Sequence, residues 1–486
     1  MWRSLVARIV RDDEAAGSNP VIPTIYFSEQ RPAAWRVFFC LWHREDIIMT
    51  AAAESCAKAL IDFIGASPSP YHAAQNPNPA WEQITRDTIA HICPGRTFYL
   101  PLFHTGAVIV SVGENPRGLL RMACAHTDFP CLRIKPNPMM CDHGYGRLNV
   151  EVYGGMIRNT WLDRPLSIAG AVTLRGAHPF APELRLVDFR RPLVTIPNLA
   201  IHMNRKVNEG VELKPQKDLL PLFFQADTEG DMSNDAKKLN AMLAELLGVG
   251  EEEILSYDLN LYPVEYGCLL GAGEEFLSAP RLDNLSSVKA CFDAVGEVPA
   301  EGISVVALFD NEEVGSRTKQ GAGSLALSMM LERVYTALGC SRDEYLRATL
   351  GGLCLSVDVA HALHPNAPEK ADPTNRPQLN GGVVLKVASS QSYACDPEAF
   401  AAVKDICLRE DIPHQVFTNH SDAPGGATLG SILSTLLPMR TMDIGVPILG
   451  MHSARETMGR DDQYALTRLL TSFFRLEMEH GWTNVL

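Results

Sequence analysis

The stretch Val305–Ser316, VVALFDNEEVGS, decides how this chain is read. It opens as an apolar, β-branched run of the kind that fills a strand buried on both faces. It then turns abruptly polar at Asp310, Asn311, Glu312 and Glu313. Adjacent carboxylates repel each other, and each must be desolvated if the site is closed. Taken alone, the pair reads as readily as a wet loop after a strand. What matters is whether other strands end in the same way.

Working outward, the run belongs to a series. Upstream, from about residue 98, come TFYLPLF, GAVIVSVG and LLRMACAHTD. Downstream, GISVVALFD leads to GSLALSMMLERVYTALG, GGLCLSVDVA and GVVLKVASS. A helical stretch near 397–410, then HQVFTN, ATLGSILSTLL and a final helix over about 461–480 complete it. Short apolar strands alternating with amphipathic helices predict an α/β fold, a mixed sheet covered by helices on both faces. The middle third differs in texture, with RLNVEVYGG, LSIAGAVTLRG and PLVTIP followed by the polar helix NDAKKLNAMLAELLGVG. At 486 residues the chain exceeds the usual single-domain size. The expectation is one α/β domain, 49–140 plus 265–486, interrupted by a β-rich insertion at 141–264. Residues 1–48 read as a dispensable extension, with an upstream start codon as one origin and a targeting segment as the alternative.

Composition removes several function classes. A formal charge of −14 argues against a nucleic-acid or anionic-membrane surface. No apolar run approaches the ~20 residues of a membrane span. The 12 cysteines are scattered through apolar segments without a CxxC framework, which suits buried thiols in a reducing compartment. The GxGxxG, GxSxG and HExxH patterns are absent, so dinucleotide binding, a serine nucleophile elbow and the commonest single-zinc protease motif lose support.

Five strand ends carry unexplained polar residues: His126 and Asp128 in ACAHTDFP, Asp283 in SAPRLDNLSSV, Glu312 and Glu313, Asp358 in LCLSVDVAHALHP, and His452 in VPILGMHSARETM. After Asp358, His361 and His364 follow at helical spacing. Each has a bland reading: a satisfied core histidine, a helix N-cap at Asp283, a solvated loop. Together they are harder to dismiss, because α/β sheets place ligand sites at strand ends. Two His, two Asp and one Glu suit a pair of zinc-like ions with one carboxylate bridging and a water between them. The second Glu is then left over as a general base for that water.

These stretches, with TWLDRPLSIAG, IPNLAIHMNR and VLKVASSQSYA, resemble the aspartyl aminopeptidase family of dinuclear zinc exopeptidases, in the family's order over nearly all of 49–486. The resemblance implies a cytoplasmic metalloaminopeptidase releasing N-terminal Asp, and less readily Glu, from peptides. It implies two divalent ions, zinc with cobalt or manganese as alternatives. His126 and Asp358 would hold one, Glu313 and His452 the other, with Asp283 bridging. Asp128 would orient His126, and Glu312 would be the general base acting on the bridging water. Lys386 and Tyr393 match the positions that receive the acidic side chain; read without the resemblance, Lys386 is an edge-strand charge. His202 would reach the active site of a neighbouring subunit, which makes the insertion a dimerisation domain and the assembly a tetrahedral dodecamer. The Gly-rich SDAPGGATLGS lacks the P-loop lysine pattern, and leaves Asp422 and Gly426 as weaker candidates for backbone approach to substrate. The rival readings are a related aminopeptidase or deacylase of broader specificity, and a non-catalytic metal-binding shell protein.

Overall fold

The computed structural model describes residues 51–476, apart from 76–77, 86, 227–234 and 424. The expected extension at 1–48 and the end of the expected last helix lie outside the described residues. Among those residues, Glu301–Phe309 sits inside a nine-stranded mixed sheet. It pairs antiparallel with Gly106–Val112 on one side and parallel with Asn115–His126 on the other. The parallel block continues through Leu353–Val357 to Arg440–Gly445. Beyond that, Val383–Lys386 runs antiparallel to Arg440–Gly445 and parallel to His414–Phe417.

The apolar runs are continuous because both faces are buried. Ala123, Ala125, Val306, Leu308, Leu355 and Val357 point into one core, where they meet Leu60, Ile64, Leu285, Val288, Leu466 and Phe473. These come from the helix at 51–65 and from Leu282–Ala294 and Asp462–Arg475. The intervening Met122, Cys124, Val305, Ala307, Phe309 and Cys354 point the opposite way. There they meet Leu327, Leu331, Tyr345 and Leu433, from Ala326–Ala337, Arg342–Leu350 and Leu429–Leu436. The period of two along each strand divides the two cores. This is the α/β sheet with helices on both faces that the sequence led us to expect.

The middle of the chain forms a separate six-stranded antiparallel sheet, in the order Ala181–Asp188, Leu166–His178, Ile254–Pro263, Cys131–Asp142, Tyr145–Tyr153, Leu222–Gln225. Leu132, Leu148, Val150, Ile168, Leu259 and Leu261 pack there against Leu239 and Leu243 of the helix Lys238–Leu247. Its strand Cys131–Asp142 straddles the expected boundary at 140. A third, five-stranded sheet joins Cys268–Leu270, Phe276–Ala279, Glu456–Gly459, Pro447–Leu449 and Ala360–His361. The helix expected from the spacing of His361 and His364 does not form. Ala360 and His361 instead pair in parallel with Pro447 and Ile448, so tertiary pairing overrides local periodicity.

Register brings the polar ends together. Phe309 is the lateral partner of His126, and Val357 that of Ile444, so the parallel strands stop at one edge. Gly445 closes that edge tightly, since a Cβ there would overlap the Asp358 carbonyl. Among the described residues, no helix is long and apolar enough to cross a membrane.

Candidate metal centre

The chain reaches Asp128 just after its strand ends at His126, and both side chains are buried. His126 Nδ1 lies 3.0 Å from the Asp128 carbonyl and 3.3 Å from its Oδ1, so its other nitrogen is left to face the site. His126 Nε2 lies 3.4 Å from Asp283 Oδ1 and 3.6 Å from Asp358 Oδ1. On the far side of Asp283, His452 Nε2 lies 3.3 Å from Asp283 Oδ2 and 3.4 Å from Glu313 Oε1. His452 Nδ1 is turned to the Gly155 carbonyl, 3.2 Å away. Two groups result, His126–Asp283–Asp358 and Asp283–Glu313–His452, each with its donor atoms within 4.8 Å of one another. Asp283 belongs to both.

Asp283 is not a helix cap. Its Oδ1 makes no hydrogen bond although it is buried, and the same holds for Glu313 Oε1. Unpartnered buried carboxylate oxygens are costly unless a cation completes them. The N···O spacings exceed the roughly 2.7–3.2 Å of a good N–H···O bond. They match the ligand–ligand edges, about 3.3–3.4 Å, of a tetrahedral ion with N and O ligands at about 2.0–2.1 Å. The donors are imidazole and carboxylate with no thiolate, a set that zinc accepts and cobalt or manganese can share. These residues therefore fit divalent ions.

The electrostatics point the same way. Among the described residues, the five carboxylates of Asp128, Asp283, Glu312, Glu313 and Asp358 outnumber the cationic groups beside them, the imidazoles of His126 and His452 and the Lys386 ammonium, so the site is short of positive charge. Burial pushes the Glu312 carboxyl up to about 8, and the Asp358, Asp128 and Asp283 charges add to it against His126. Burial and then Asp283 hold Glu313 well above its ordinary range. At His126 burial opposes protonation, but Asp128, Asp283 and Asp358 outweigh it and raise the imidazole well above its usual value. At His452, burial likewise yields to Asp283 and Glu313, and the imidazole rises to about 10. Cations seated between these groups would relieve the protons that they otherwise retain.

The turn holding the two glutamates has its own anchor. The Glu312 N–H donates to Asp128 Oδ1 and the Glu313 N–H to Asp128 Oδ2, each at 3.1 Å. Tyr153 Oη donates to Asp128 Oδ2 at 2.6 Å and accepts from Asn311 Nδ2 at 3.0 Å. Asp128 thus does more than orient His126: it ties the NEE turn to the neighbouring strand. Glu312 belongs to neither donor group. Tyr153 and Gly155 are the residues that reading the sequence missed. Tyr153 closes the alternating strand RLNVEVY directly before Gly154–Gly155, and nothing local marks its hydroxyl as part of the site.

Lys386 ends Val383–Lys386, which lies between two other strands, so it is not an edge-strand charge. It is 2% exposed, with Nζ 3.9 Å from Asp358 Oδ2 and 5.1 Å from the Tyr393 ring centroid. Tyr393 is buried too, its hydroxyl 3.4 Å from Asn419 Oδ1. His202 is not brought to the donor groups within this chain; it sits on an exposed turn between Ile201 and Met203, both exposed. Asp422 and Gly426 lie exposed on the loop before Leu429–Leu436.

Known proteins resemble this chain in sequence and in fold. Residues 63–474 match the family model described as Aminopeptidase I zinc metalloprotease (M18). A probable M18 family aminopeptidase 2 of Clostridium novyi is 42% identical over 429 residues, covering 86% of this chain and 98% of the relative. Among solved structures, a chain from the cryo-EM structure of the Ape4 and Nbr1 complex is 32% identical, with a TM-score of 0.83 over 87% of this chain and 86% of that one. The S. cerevisiae mApe1 dodecamer is 27% identical, with a TM-score of 0.75 over 87% of this chain and 96% of that one. The chain belongs to the M18 family of metalloaminopeptidases, the aspartyl aminopeptidase family of zinc exopeptidases.

Proposed function

We propose that the protein removes N-terminal acidic residues, Asp and less readily Glu, from peptides. The observation that carries this reading is Lys386, a buried cation beside the donor groups. A substrate carboxylate buried there needs a charged partner, and Lys386 provides one, with the Tyr393 ring 5.1 Å from its Nζ. Two divalent ions, zinc in the first instance, fit the donor groups, with His126 and Asp358 on one, Glu313 and His452 on the other and Asp283 between them. Bound there, such ions supply Lewis-acid polarisation of the scissile carbonyl and a water that ionises near neutral pH. Glu312 lies beside both groups with its carboxylate uncommitted. It takes a proton from the attacking water and returns it to the leaving amine nitrogen. Asp128 holds the backbone of Glu312 and Glu313 in place while this happens.

The segments 49–140 and 265–486 would form the catalytic domain and 141–264 a dimerisation domain. Exposed Leu199, Ile201 and Met203 around His202 support self-association, because three apolar side chains on one turn are poorly suited to water. The dodecamer of the S. cerevisiae relative supports a dodecamer here, and in our reading its subunits pair through 141–264 with His202 entering a neighbour's site. The scattered free thiols support a reducing compartment, and so a cytoplasmic location, as part of this reading.

The test is hydrolysis of Asp-, Glu-, Leu- and Ala-linked chromogenic amides with and without chelator. The expected result is Asp above Glu, both far above Leu and Ala, with activity lost to chelator and restored by zinc, cobalt or manganese. Equal rates on Leu and Asp would favour the broad-specificity rival. Binding of zinc without turnover of any amide would favour the shell protein.

A further inference from the structure

We propose that Glu456 is a positioning residue of the metal centre, fixing the spacing of Asp283 and His452 before any ion arrives. This rests on the reading of the two donor groups as metal sites. Glu456 is 2% exposed and opens the strand Glu456–Gly459 directly opposite Ala279. Its Oε2 accepts the backbone N–H of Asp283 at 3.0 Å, and its Oε1 accepts the backbone N–H of His452 at 2.7 Å. One carboxylate therefore grips the main chain of two candidate ligands that stand far apart in sequence.

Both N–H groups need such a partner. Asp283 lies at the head of Leu282–Ala294 with φ −80° and ψ 103°, outside helical geometry, where a backbone donor has no acceptor within the helix. His452 sits on the turn after Pro447–Leu449 in the left-handed region, φ 68°, where no strand ladder supports it. The Asp283 donor is buried and the His452 donor partly so, and donors shielded from water are paired in folded proteins. His126 and Asp358 are different, since each directly adjoins a strand of the parallel block. His452 lies on a turn rather than in or beside the parallel block, and Glu456 joins it to the ligand that both groups share. Side-chain contact between Asp283 Oδ2 and His452 Nε2, 3.3 Å, is then set by two backbone ties as well as by the rotamers. Ordering ligands in advance spares the ion that ordering when it binds, which is how partners behind a ligand raise metal affinity.

The consequence is asymmetric. Glu456→Gln keeps one acceptor oxygen and sets an NH2 against the other N–H, so it breaks half of the clamp with little change in volume. Zinc binding to the full chain, measured by competition with a fluorescent chelator, should show two tight ions in the wild type. In the E456Q variant the ion held by Asp283, Glu313 and His452 should weaken by roughly 10- to 100-fold, and the one held by His126, Asp283 and Asp358, which shares only Asp283 with the clamp, by clearly less. The control is Asp462, a second buried acid, which accepts the N–H groups of Asn380 and Gly382. Asp462→Asn should lower stability and leave zinc affinity unchanged. Amide exchange in metal-free wild type provides a reading that needs no variant: the Asp283 and His452 N–H groups should be protected. Unchanged affinity for both ions in E456Q, equal weakening of both, a matching loss in D462N, or fast exchange at either amide would each overturn the proposal. A wild type that takes up no zinc overturns the metal reading itself, and the proposal with it.

Discussion

Replacing Lys386 with Met tests the specificity argument at its narrowest point. Met has similar length and no charge, so the change removes the cation while leaving an apolar wall of similar volume. Nζ lies 3.9 Å from Asp358 Oδ2. Unit charges at that separation attract by about 4 kcal/mol at an effective dielectric of about 20. A substrate carboxylate seated on the other side of Nζ gains interaction of the same order, less what both groups lose in leaving water. Truncating one partner of a buried charge pair costs about 2–5 kcal/mol, which is roughly 30- to 5,000-fold in kcat/KM for an Asp-linked amide. The Tyr393 ring, 5.1 Å from Nζ, contributes less, since a cation over an aromatic face is worth about 0.5–2 kcal/mol. The ion pair therefore decides the outcome.

Leu-linked amides carry no side-chain carboxylate and should be turned over by K386M at close to the wild-type rate. The Asp-to-Leu ratio of kcat/KM is thus the quantity to measure, at saturating zinc. Zinc content should hold or rise, because losing Lys386 leaves the carboxylate of Asp358 more strongly negative toward a dication. An unchanged ratio would refute Lys386 as the partner of the acidic side chain. A parallel fall on both amides with loss of zinc would refute it differently, by showing that Lys386 acts through Asp358.

Three further outcomes follow from the same geometry. Glu312→Gln should lower kcat by about 10²–10⁴-fold and keep its zinc, whereas Glu313→Gln should lose zinc, because only Glu313 belongs to a donor group; metal analysis beside single-turnover rates separates the two. Tyr153→Phe removes the 2.6 Å bond to the buried Asp128 carboxylate and should cost about 1.5–3 kcal/mol in urea unfolding, and a loss below about 0.5 kcal/mol would contradict the anchor. Burial pushes Asp462 up to about 7 despite the N–H groups of Asn380 and Gly382, whereas in the unfolded chain it ionises near its ordinary 3.8. Between those values the folded state holds a proton that the unfolded state has released, so this group's contribution to stability falls as pH rises from about 4 to about 7. Unfolding midpoints of D462N should lose that slope, and an identical pH profile in the variant would contradict it.

How far the site could be read from the sequence depends on what each residue does locally. Val305–Phe309 announces itself as a doubly buried strand because both of its faces are apolar. His126, Asp358 and His452 stand out because each is a polar residue following an apolar run. The order of the sheet is another matter, since Glu301–Phe309 inserts between Gly106–Val112 and Asn115–His126, and pairing across such distances leaves no local pattern. Tyr153 and Glu456 look like ordinary strand residues, and only neighbours from distant parts of the chain give them a task. His361 shows the converse, where a helical spacing to His364 carries no helix because Ala360–His361 pairs with Pro447–Leu449.

The adjacent glutamates show why the local pattern was informative even before its anchor was visible. Glu312–Val314 forms a single 3-10 turn. Successive side chains on such a turn leave the axis about 120° apart, at three residues per turn. With both N–H groups fixed on the Asp128 carboxylate, the two carboxylates cannot serve the same place. Glu313 is directed to Asp283 and His452, and Glu312, leaving the turn at a different angle, stays close enough to feel His126, Asp358, Asp128 and Asp283. Placing ligand and base next to each other in sequence is thus a direct way to separate them by a fixed angle in space. The same geometry predicts that Glu312 will not stand in for the missing ligand in Glu313→Gln, since reaching the place of Glu313 beside His452 would strain the grip of Asp128 on the turn.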